Sequence, residues 1–417
     1  MIAIIEPICK KFSHEKINSG FLTAFSLSYP EELIQLYAYK SHIEALIKML
    51  KHDKVEIENL SFVEIKNAPN TGFFSLIKYT INFYRVFEEL RLNGVDKMFF
   101  LSFSPSILWV IKSLSKISKF SAFKFLFVLH GSFEEIAINK KQESLLLLNK
   151  VSSFKDVIKF IYYLSLKIID YPWNLINNHF FNFVKVLNYK HSNNFRYAAI
   201  SPYIIENAKK YIDVNYFNIQ LINFPTNFVD PAFPSNEGCF KMGVFGYGNS
   251  KKLADISRLL LKENIKEKFQ IKIIGMDNRG LSDFPFIKFT SKGKPLTRVE
   301  MEKAAEDVDV FLILYESDKY RLSCSGSIFE ALSYCKPIIH LENECIDFYN
   351  NVNQPIGISC KSDYDFAITL RDIIENNDRS KLLEYQKNIL KLRDQLNIKK
   401  SIPQILKAFS WGPVNHD

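Results

Sequence analysis

Short runs of apolar residues alternate along the chain with longer stretches in which apolar positions recur at helical spacing. In the first half, these runs predict strands at 1–6, 32–39, 55–63, 97–103 and 123–129, and helices around 41–51 and 74–93. Strands that alternate with helices favour a parallel sheet with helices on both faces. The first half of the chain is therefore expected to form an α/β domain.

This alternation stops between residues 145 and 189. The stretch predicts a helix with bulky apolar residues on most sides and interspersed lysines, followed by an aromatic and basic run at 180–185. Such a composition is typical of a helix that lies at a membrane interface. A helix that packs on the sheet, or in a contact between copies of the chain, has the same composition, and these interpretations stay open.

A proline-rich stretch marks the boundary between the two halves. Three prolines between 225 and 234 follow the last elements predicted in the first half, a strand at 196–201, a helix at 202–211 and a strand at 220–223. These prolines cannot extend either neighbouring element. We therefore predict a first domain at 1–224, which includes the helical segment at 145–189, and a linker at 225–238.

The alternation of strands and helices resumes after this linker. Strands are predicted from residue 240 and at 269–275, 286–290, 309–315, 337–341 and 355–360, with helices at 302–306, 363–376 and 380–396. This order predicts a second α/β domain at 239–395. The tail is amphipathic from 402 to 411, which predicts a terminal helix within 396–417.

Composition and charge narrow the classes of partner. A chain of 417 residues is long enough for two domains, and its 47% hydrophobic and 24% charged residues are an ordinary globular balance. The net charge of +9 favours anionic partners such as nucleotide-sugars or phospholipid headgroups. The charge is spread along the chain without an arginine-rich tract or zinc-finger spacing, so no nucleic acid partner is expected.

The six cysteines show neither a Cys-x-x-Cys pair nor metal-ligand spacing with histidine. No secretory signal is evident at the start of the chain, so reduced thiols and a cytoplasmic location are expected. No run of about 18 uncharged apolar residues occurs, so no membrane-spanning helix is expected.

The stretch from 320 to 340 carries the most specific chemistry. Ser325, Gly326 and Ser327 stand where a helix is predicted to begin, and a helix start presents free N–H groups and a positive dipole end to an anion. Glu330 follows about one turn later. These residues suit a diphosphate with a sugar hydroxyl close by, although Ser327 and Glu330 also fit a capping box, which is purely structural.

The order of parts in this stretch resembles the donor-binding segment of GT-B glycosyltransferases. The matching residues are Gly326, Glu330-Ala331-Leu332, Lys336-Pro337 and Ile338-Ile339. The resemblance is to the family 4/family 1-like group of bacterial surface-polysaccharide enzymes. It implies the GT-B fold, two Rossmann-like doubly wound parallel-sheet domains that face each other across a cleft. The terminal helix would cross back to the first domain.

Two positions depart from this family pattern. Leu322 stands where the retaining members of the best-known branch carry their first Glu, and Cys335 replaces a usual Gly. A leucine side chain cannot accept hydrogen bonds from a donor sugar, so the resemblance does not imply whether the reaction retains or inverts configuration.

Further donor-site candidates follow from the same resemblance. Gly246, Gly248 and Lys252 follow the first strand of the second half, as in a turn that holds a diphosphate. Because Lys251 stands where a dinucleotide fingerprint needs glycine, a hydride-transfer enzyme is poorly supported. Arg321 would clamp phosphate and Tyr320 would stack on base or sugar, unless they are surface residues.

Two loops of the first half are expected at the carboxyl ends of strands, where open α/β sheets bind ligands. His130 ends the most apolar strand, and the resemblance implies that it contacts the donor sugar. His14 and Glu15 follow the first strand and would engage the acceptor as acid or base. The structural alternatives are a hydrogen bond across the loop for His130 and a solvated helix start for the other two.

Asp307 and Asp309 form an Asp-x-Asp pattern, which in another glycosyltransferase fold binds a metal ion. Here the pattern stands at the start of a predicted strand, at the edge of the sheet away from ligands. We therefore expect no metal and no other cofactor.

The resemblance implies a hexosyl- or related transferase that moves a sugar from a nucleotide-sugar donor to a glycan or lipid-linked glycan acceptor. Capsule or lipopolysaccharide synthesis in the cytoplasm, at the inner face of the plasma membrane, would fit such an enzyme. Two alternatives remain open: a sugar-nucleotide epimerase of the same fold, and a non-catalytic, membrane-associated subunit. The residues do not fix the base, the sugar, the linkage or the oligomeric state.

Overall fold

The computed structural model describes residues 1–66, 73–138, 182–228, 231, 238–245, 249–263, 265–275, 280–291, 296–352, 354–376 and 379–411. The chain divides into two compact units. The first unit is Met1–Thr226 together with Ile398–Asp417, and the second is Asn227–Asn397. Each unit is built on its own parallel sheet, so each has an α/β architecture.

The first unit contains a seven-stranded sheet in which every pairing is parallel. Its strands are β1 (Ile2–Glu6), β2 (Ile34–Ala38), β3 (Leu60–Glu64), β4 (Lys97–Phe100), β5 (Lys124–Leu129), β6 (Phe195–Ala199) and β7 (Ile219–Leu221). The order β3-β2-β1-β4-β5-β6-β7 reverses direction between β1 and β4. This reversal makes a topological switch point, where doubly wound sheets open a crevice.

Helices connect these strands. They are α1 (Glu15–Ser28), α2 (Lys40–His52), α3 (Phe73–Leu92), α4 (Pro105–Leu114), α5 (Glu135–Ile138), α6 (Phe183–Asn188) and α7 (Pro202–Ala208), with 3-10 turns at Ser118–Phe120 and Gly131–Glu134. Only the part of the predicted 145–189 helical segment from residue 182 onwards lies within the described residues. Among the described residues, no helix is both long and apolar enough to cross a membrane.

Phenylalanine fills much of the first core. Phe87, Phe100, Phe125 and Phe127 are all fully buried, and the rings of Phe100 and Phe127 stack with centroids 4.7 Å apart. Phe100 lies on β4, Phe125 and Phe127 lie on the neighbouring strand β5, and Phe87 of α3 packs on them with its ring 5.6 Å from that of Phe125. The high phenylalanine content of the chain thus has a structural use.

The second unit contains a six-stranded parallel sheet. Its strands are β8 (Phe240–Phe245), β9 (Phe269–Ile274), β10 (Ile287–Phe289), β11 (Val310–Ile313), β12 (Ile338–Leu341) and β13 (Gly357–Cys360). The order β10-β9-β8-β11-β12-β13 reverses between β8 and β11. This is the switch point at which a ligand of the second unit is expected.

The helices of the second unit are α8 (Ser250–Lys262), α9 (Arg298–Glu306), α10 (Gly326–Ser333), α11 (Glu344–Asn351), α12 (Asp363–Asn376) and α13 (Arg379–Leu396). A capping box between Thr297 and Glu300 fixes the start of α9. Residues of β8, β9, β11, α8 and α12 share one apolar core.

The last helix, α14 (Ile398–Phe409), belongs to the first unit. The Phe409 ring meets the Phe25 ring of α1 edge to face at 5.4 Å. Gln404 accepts a hydrogen bond from the Asn223 backbone at 2.7 Å, and Ser401 donates one to the Asn223 carbonyl at 3.1 Å. These contacts make α14 part of the first domain's packing.

The Asp-x-Asp pattern is engaged in ion pairs. Asp307 pairs with Lys241 at 2.5 Å and also with Lys272, and Asp309 pairs with Arg379 at 3.3 Å. Asp309 also accepts a hydrogen bond from the Lys241 backbone. Both carboxylates therefore stabilise the start of β11, as expected for a structural role.

Candidate functional site

The first part of the candidate site lies where β1 ends. Glu6, its last residue, is fully buried. Its carboxylate accepts hydrogen bonds from the backbone N–H groups of Ile8 and Cys9, both at 2.9 Å, from the Asn18 amide at 3.1 Å, and from the Ser102 hydroxyl. Four donors satisfy the buried carboxylate and fix the loop that leads to α1.

This loop carries His14, whose φ of 55° is left-handed and turns the chain into α1. The His14 Nε2 lies 3.3 Å from the Nε2 of His130, which follows β5. The two rings meet edge to face with centroids 4.4 Å apart. The structure thus brings together two histidines that the sequence separates by 116 residues.

Crowding by protein atoms changes the chemistry of this pair. Burial lowers the pKa of His14, and it lowers the pKa of His130 to about 3, with His14 as a further cause. Both imidazoles are therefore neutral at pH 7. One ring donates its N–H to the lone pair of the other, and a neutral ring can accept a proton from a substrate hydroxyl.

The neighbours of the pair hold its geometry. Cys9 Sγ lies 3.5 Å from the Nδ1 of His14, and burial raises the pKa of the Cys9 thiol, which therefore stays protonated. Glu15 begins α1 directly after His14 and is half-buried. The acid and base candidates of the first half thus occupy the loop after β1 and the end of β5, two strands away in the sheet.

His42 belongs to the same polar network, and sequence reasoning missed it. It is fully buried on α2, with its Nε2 2.9 Å from the Asn18 amide and its Nδ1 2.9 Å from the carbonyl oxygen of Lys11. Asn18 also binds Glu6, so α1 and α2 are joined to the end of β1. A polar residue that ends an apolar strand, as Glu6 does, was the signal for this network.

The second part of the candidate site is the turn before α10. Ser325 caps the helix, and its Oγ accepts a hydrogen bond from the Ser327 N–H at 3.2 Å. Ser325 donates its hydroxyl proton to the Tyr315 hydroxyl at 2.9 Å, which in turn donates to Ser327 Oγ at 2.8 Å. The interpretation of Ser327 as the cap of a capping box is wrong, because the cap is two residues earlier.

Tyr315 was not predicted as a site residue. It lies two residues beyond β11, at the carboxyl edge of the second sheet. With Ser327 it lines a small hollow that Val244 and Phe245 of β8 also line. The turn therefore lies at the switch point between β8 and β11, and a residue just past a strand end was the available signal.

Gly326 leaves the start of α10 open. It is exposed, and a Cβ atom placed on it would meet no atom within 4 Å. Its backbone conformation does not require glycine, because its φ lies outside the left-handed region. Neither strain nor packing accounts for a glycine here, whereas close approach of a ligand to the backbone N–H groups would.

Glu330 is held by Arg298 of α9. The two guanidinium nitrogens lie 2.9 and 3.1 Å from the two carboxylate oxygens, a bidentate pair between side chains that are 15% and 17% exposed. Burial alone would lower the Arg298 pKa, but the Glu330 charge and its hydrogen bonds more than offset that effect and raise the pKa, so the guanidinium stays charged. A carboxylate oxygen has more than one lone pair and could accept a hydrogen bond from a hydroxyl as well as from a guanidinium.

Tyr320 and Arg321 approach the same turn. Tyr320 has a φ of 61°, and its ring lies 4.7 Å from the Tyr315 ring. Arg321 is half-buried beside Leu322, which is fully buried. Tyr320 thus extends the tyrosine and serine cluster at the start of α10.

Lys252 has a partner of its own. Its Nζ lies 3.0 and 3.1 Å from the two carboxylate oxygens of Asp363, the first residue of α12. This pair joins α8 to α12, so the structure gives Lys252 a packing role as well. Gly246 and Gly248, the other candidates of this loop, lie outside the described residues.

Comparison with known proteins shows similarity in structure. No protein-family model matches the chain, and no curated protein matches its sequence. A glycosyltransferase from Rickettsia africae matches 98% of this chain and 97% of its own, with a TM-score of 0.59 at 12% identity. HepE from Anabaena, in complex with UDP and glucose, matches 98% of both chains, with a TM-score of 0.57 at 12% identity.

The match to WaaG, a glycosyltransferase involved in lipopolysaccharide biosynthesis, covers 99% of this chain and 100% of the WaaG chain. Its TM-score is 0.56 at 10% identity. Such low identities establish the fold. The chain therefore has the GT-B fold of two Rossmann-like domains, as the donor-binding motif predicted, and its structural neighbours are glycosyltransferases.

Proposed function

We propose that this protein is a glycosyltransferase that moves a sugar from a nucleotide-sugar to a hydroxyl of a glycan or lipid-linked glycan. The observation that carries the proposal is the open helix start at Gly326, flanked by Ser325, Ser327 and Tyr315 at the switch point of the second sheet. A helix start with free N–H groups and hydroxyls binds a diphosphate. The neighbouring Glu330 carboxylate would then accept a hydrogen bond from a ribose or sugar hydroxyl.

The diphosphate is both the ligand of this turn and the leaving group of the reaction. As the bond between the sugar C1 and the phosphate oxygen breaks, its electron pair and negative charge pass to the diphosphate. The N–H groups at the start of α10 and the hydroxyl of Ser327 stabilise that charge, while Ser325 holds the turn in place. Arg321 is the proposed cationic partner, and no metal ion is part of the proposal.

The histidine pair of the first domain would act on the sugar and the acceptor. His130 contacts the donor sugar, and His14, assisted by Glu15, takes the proton of the acceptor hydroxyl. The acceptor oxygen then forms its bond to C1 as the nucleoside diphosphate leaves. His14 is available for this step because burial lowers its pKa and so keeps the ring unprotonated, whereas the stronger lowering of the His130 pKa makes that ring a poor base and fits its contact role.

We further propose that the acceptor is lipid-linked and that the enzyme works in the cytoplasm at the inner face of a membrane. Two observations support this location. The chain carries a net charge of +9, which favours an anionic surface. WaaG, one of the similar structures, is involved in lipopolysaccharide biosynthesis.

Donor turnover tests the proposal. The purified chain is incubated with UDP-, GDP- and dTDP-sugars and with a lipid-linked glycan fraction, and the release of nucleoside diphosphate is measured by chromatography. One donor should be consumed only when acceptor is present, and His14→Asn and His130→Asn should each slow release by about 100-fold or more. His52→Asn, a histidine outside the site, is the matched control and should keep the wild-type rate.

The epimerase alternative gives a different result in the same experiment. An epimerase would change the donor sugar without acceptor, and mass spectrometry with carbohydrate analysis would detect the isomer. Conversion without acceptor, or equal rates in the histidine variants and the wild type, would contradict the proposed transfer.

A further inference from the structure

A second cavity lies in the first domain, away from the histidine pair. Its volume is about 730 Å³, within the range of small-molecule sites. Lys124, Phe195 and Ile219, which line it, stand at the amino ends of β5, β6 and β7. His130 follows the carboxyl end of β5, so the length of that strand, roughly 20 Å at 3.3 Å per residue, separates cavity and histidine pair.

The lining combines planar amides with aromatic rings. The amides are those of Asn193, Asn194, Asn215, Asn218 and Gln220, and the rings belong to Phe195, Tyr216 and Trp411. An amide offers a donor and an acceptor side by side, which matches neighbouring hydroxyls of a sugar. An aromatic ring covers the apolar face of a sugar ring. This combination suits a carbohydrate.

The charge of the lining is positive. Lys124 and Arg196 line the cavity, and none of its described lining residues is acidic. Arg196 is 8% exposed, and it donates hydrogen bonds to the backbone carbonyls of Ala408 at 3.1 Å and Ser410 at 2.6 Å. The guanidinium also lies over the Trp411 ring, 4.8 Å from its centroid, but neither this ring nor the carbonyl groups carry a negative charge, so an anionic group is favoured here.

Three lining residues also carry buried polar atoms that have no hydrogen-bond partner among the described residues. They are Arg196 Nε, Trp411 Nε1 and His191 Nδ1. The other ring nitrogen of His191, Nε2, lies 2.9 Å from the Tyr216 carbonyl and donates to it. Burial lowers the His191 pKa, so its Nδ1 is an acceptor. These three atoms have almost no solvent-accessible surface, so they lie behind the wall of the cavity, where polar atoms are costly to leave unsatisfied.

We infer that this cavity binds an anionic sugar, with the sugar ring against the Tyr216 and Trp411 rings and its charged group near Lys124 and Arg196. The site goes beyond the proposed transfer, because it lies at the opposite edge of the sheet and shares no residue with the catalytic pair. A carboxylated sugar and a sugar phosphate both have the required chemistry.

Isothermal titration with four probes tests this site. Glucuronic acid and glucose 1-phosphate represent the two sources of charge, and glucose and inorganic phosphate are the controls. At least one of the two anionic sugars should bind at least about five-fold more tightly than either control. A gain in affinity of this size is expected from one charge-assisted contact with the half-buried Lys124. Equal binding of glucose, or tighter binding of phosphate alone, would overturn the inference.

Matched variants locate the binding. Lys124→Gln should weaken it about five-fold. Lys97→Gln should not, although Lys97 is the register partner of Lys124 at the start of β4. Tyr216→Ala removes a ring that is 55% exposed and should abolish detectable binding, whereas Tyr364→Ala removes an exposed ring of the second domain and should have no effect. Equal affinities within either pair would refute the assignment.

Two further variants separate this site from the proposed catalytic site. His130→Asn and Gly326→Ala should leave unchanged the binding of whichever anionic sugar binds the wild type, even if nucleotide binding and turnover fail. Loss of sugar binding in either variant would show that the probe occupies the catalytic site, and the inferred second site would be rejected. A chain that ends at Trp411 should bind the same anionic sugar at least as tightly as the full chain, and weaker binding would contradict the assignment.

Discussion

Replacement of Gly326 by alanine separates a structural role of this glycine from a ligand-binding role. Gly326 is the first residue of α10, it is exposed, and the added methyl group would meet no protein atom within 4 Å. The backbone can hold alanine without strain, because its φ lies outside the left-handed region. If the glycine had no ligand, the substitution should therefore help the protein.

The two effects have opposite signs. Alanine lowers the conformational entropy of the unfolded chain, which should stabilise the second domain by about 0.4–1 kcal/mol and raise Tm by about 1–4 °C. The methyl group would also keep a phosphate from the backbone N–H groups at the start of α10. Loss of one such charge-assisted hydrogen bond costs about 1.5–3 kcal/mol, or roughly 10- to 100-fold in affinity.

The assay is isothermal titration of wild type and Gly326→Ala with UDP, GDP and dTDP, with thermal unfolding of both proteins without ligand. Glu344→Ala is the matched control, because it places alanine at the first position of α11, another helix of eight residues in the same domain. Its nucleotide affinity should equal that of the wild type.

A Gly326→Ala variant that is at least as stable as the wild type and binds the nucleotide equally well would refute the reasoning. The open space above the helix start would then have no ligand role. A variant that loses both stability and affinity would also contradict it, because the structure shows no atom for the methyl group to displace.

Three other outcomes follow from the structure. Lysine at position 298 cannot form the bidentate pair with Glu330, so Arg298→Lys should lower the nucleotide affinity measured by titration about ten-fold. A change below two-fold would exclude a role of Arg298 in positioning Glu330. The fully buried Lys112 has a pKa lowered to about 7 by burial. Between pH 7 and 10.5 the unfolded chain therefore binds more protons than the folded chain, so the free energy of unfolding, measured with urea, should rise with pH in this range. Lys112→Met should lose this rise, and a variant with the wild-type pH dependence would contradict the assignment. A chain that ends at Asn397 lacks α14. In calorimetry it should lose the unfolding transition of the first domain and keep that of the second. Two intact transitions would show that the first domain does not need α14 to fold.

Apolar runs predicted the strands well, because parallel strands are covered on both faces and read as continuous apolar segments. The same property hid α4. Eight of its ten residues are buried, so it has almost no polar side to reveal a helical period. The sequence does carry a signal for the start of α4, because Ser104 caps the helix and Pro105 occupies its first position.

The chemistry of the candidate site was predicted one residue at a time, and its pairings were not. His14 and His130 were each expected beyond a strand end, but their contact depends on β1 and β5 flanking β4 in the sheet. The partner of Glu330 was hidden for the same reason, because Arg298 stands 32 residues earlier on another helix. Such pairings follow from the order of the strands in the sheet, which a single sequence does not reveal.

Thermal unfolding with nucleotides tests most directly whether the second domain holds a nucleotide donor. The purified chain is heated alone and with UDP, GDP, CMP and dTDP in turn, and the series is repeated on Glu330→Ala. One nucleotide at about 100 times its Kd should stabilise the wild type by roughly 2.7 kcal/mol, a rise in Tm of several degrees, and the variant should show a smaller rise. No rise with any of the four nucleotides would contradict a nucleotide-sugar donor and leave the fold without the proposed activity.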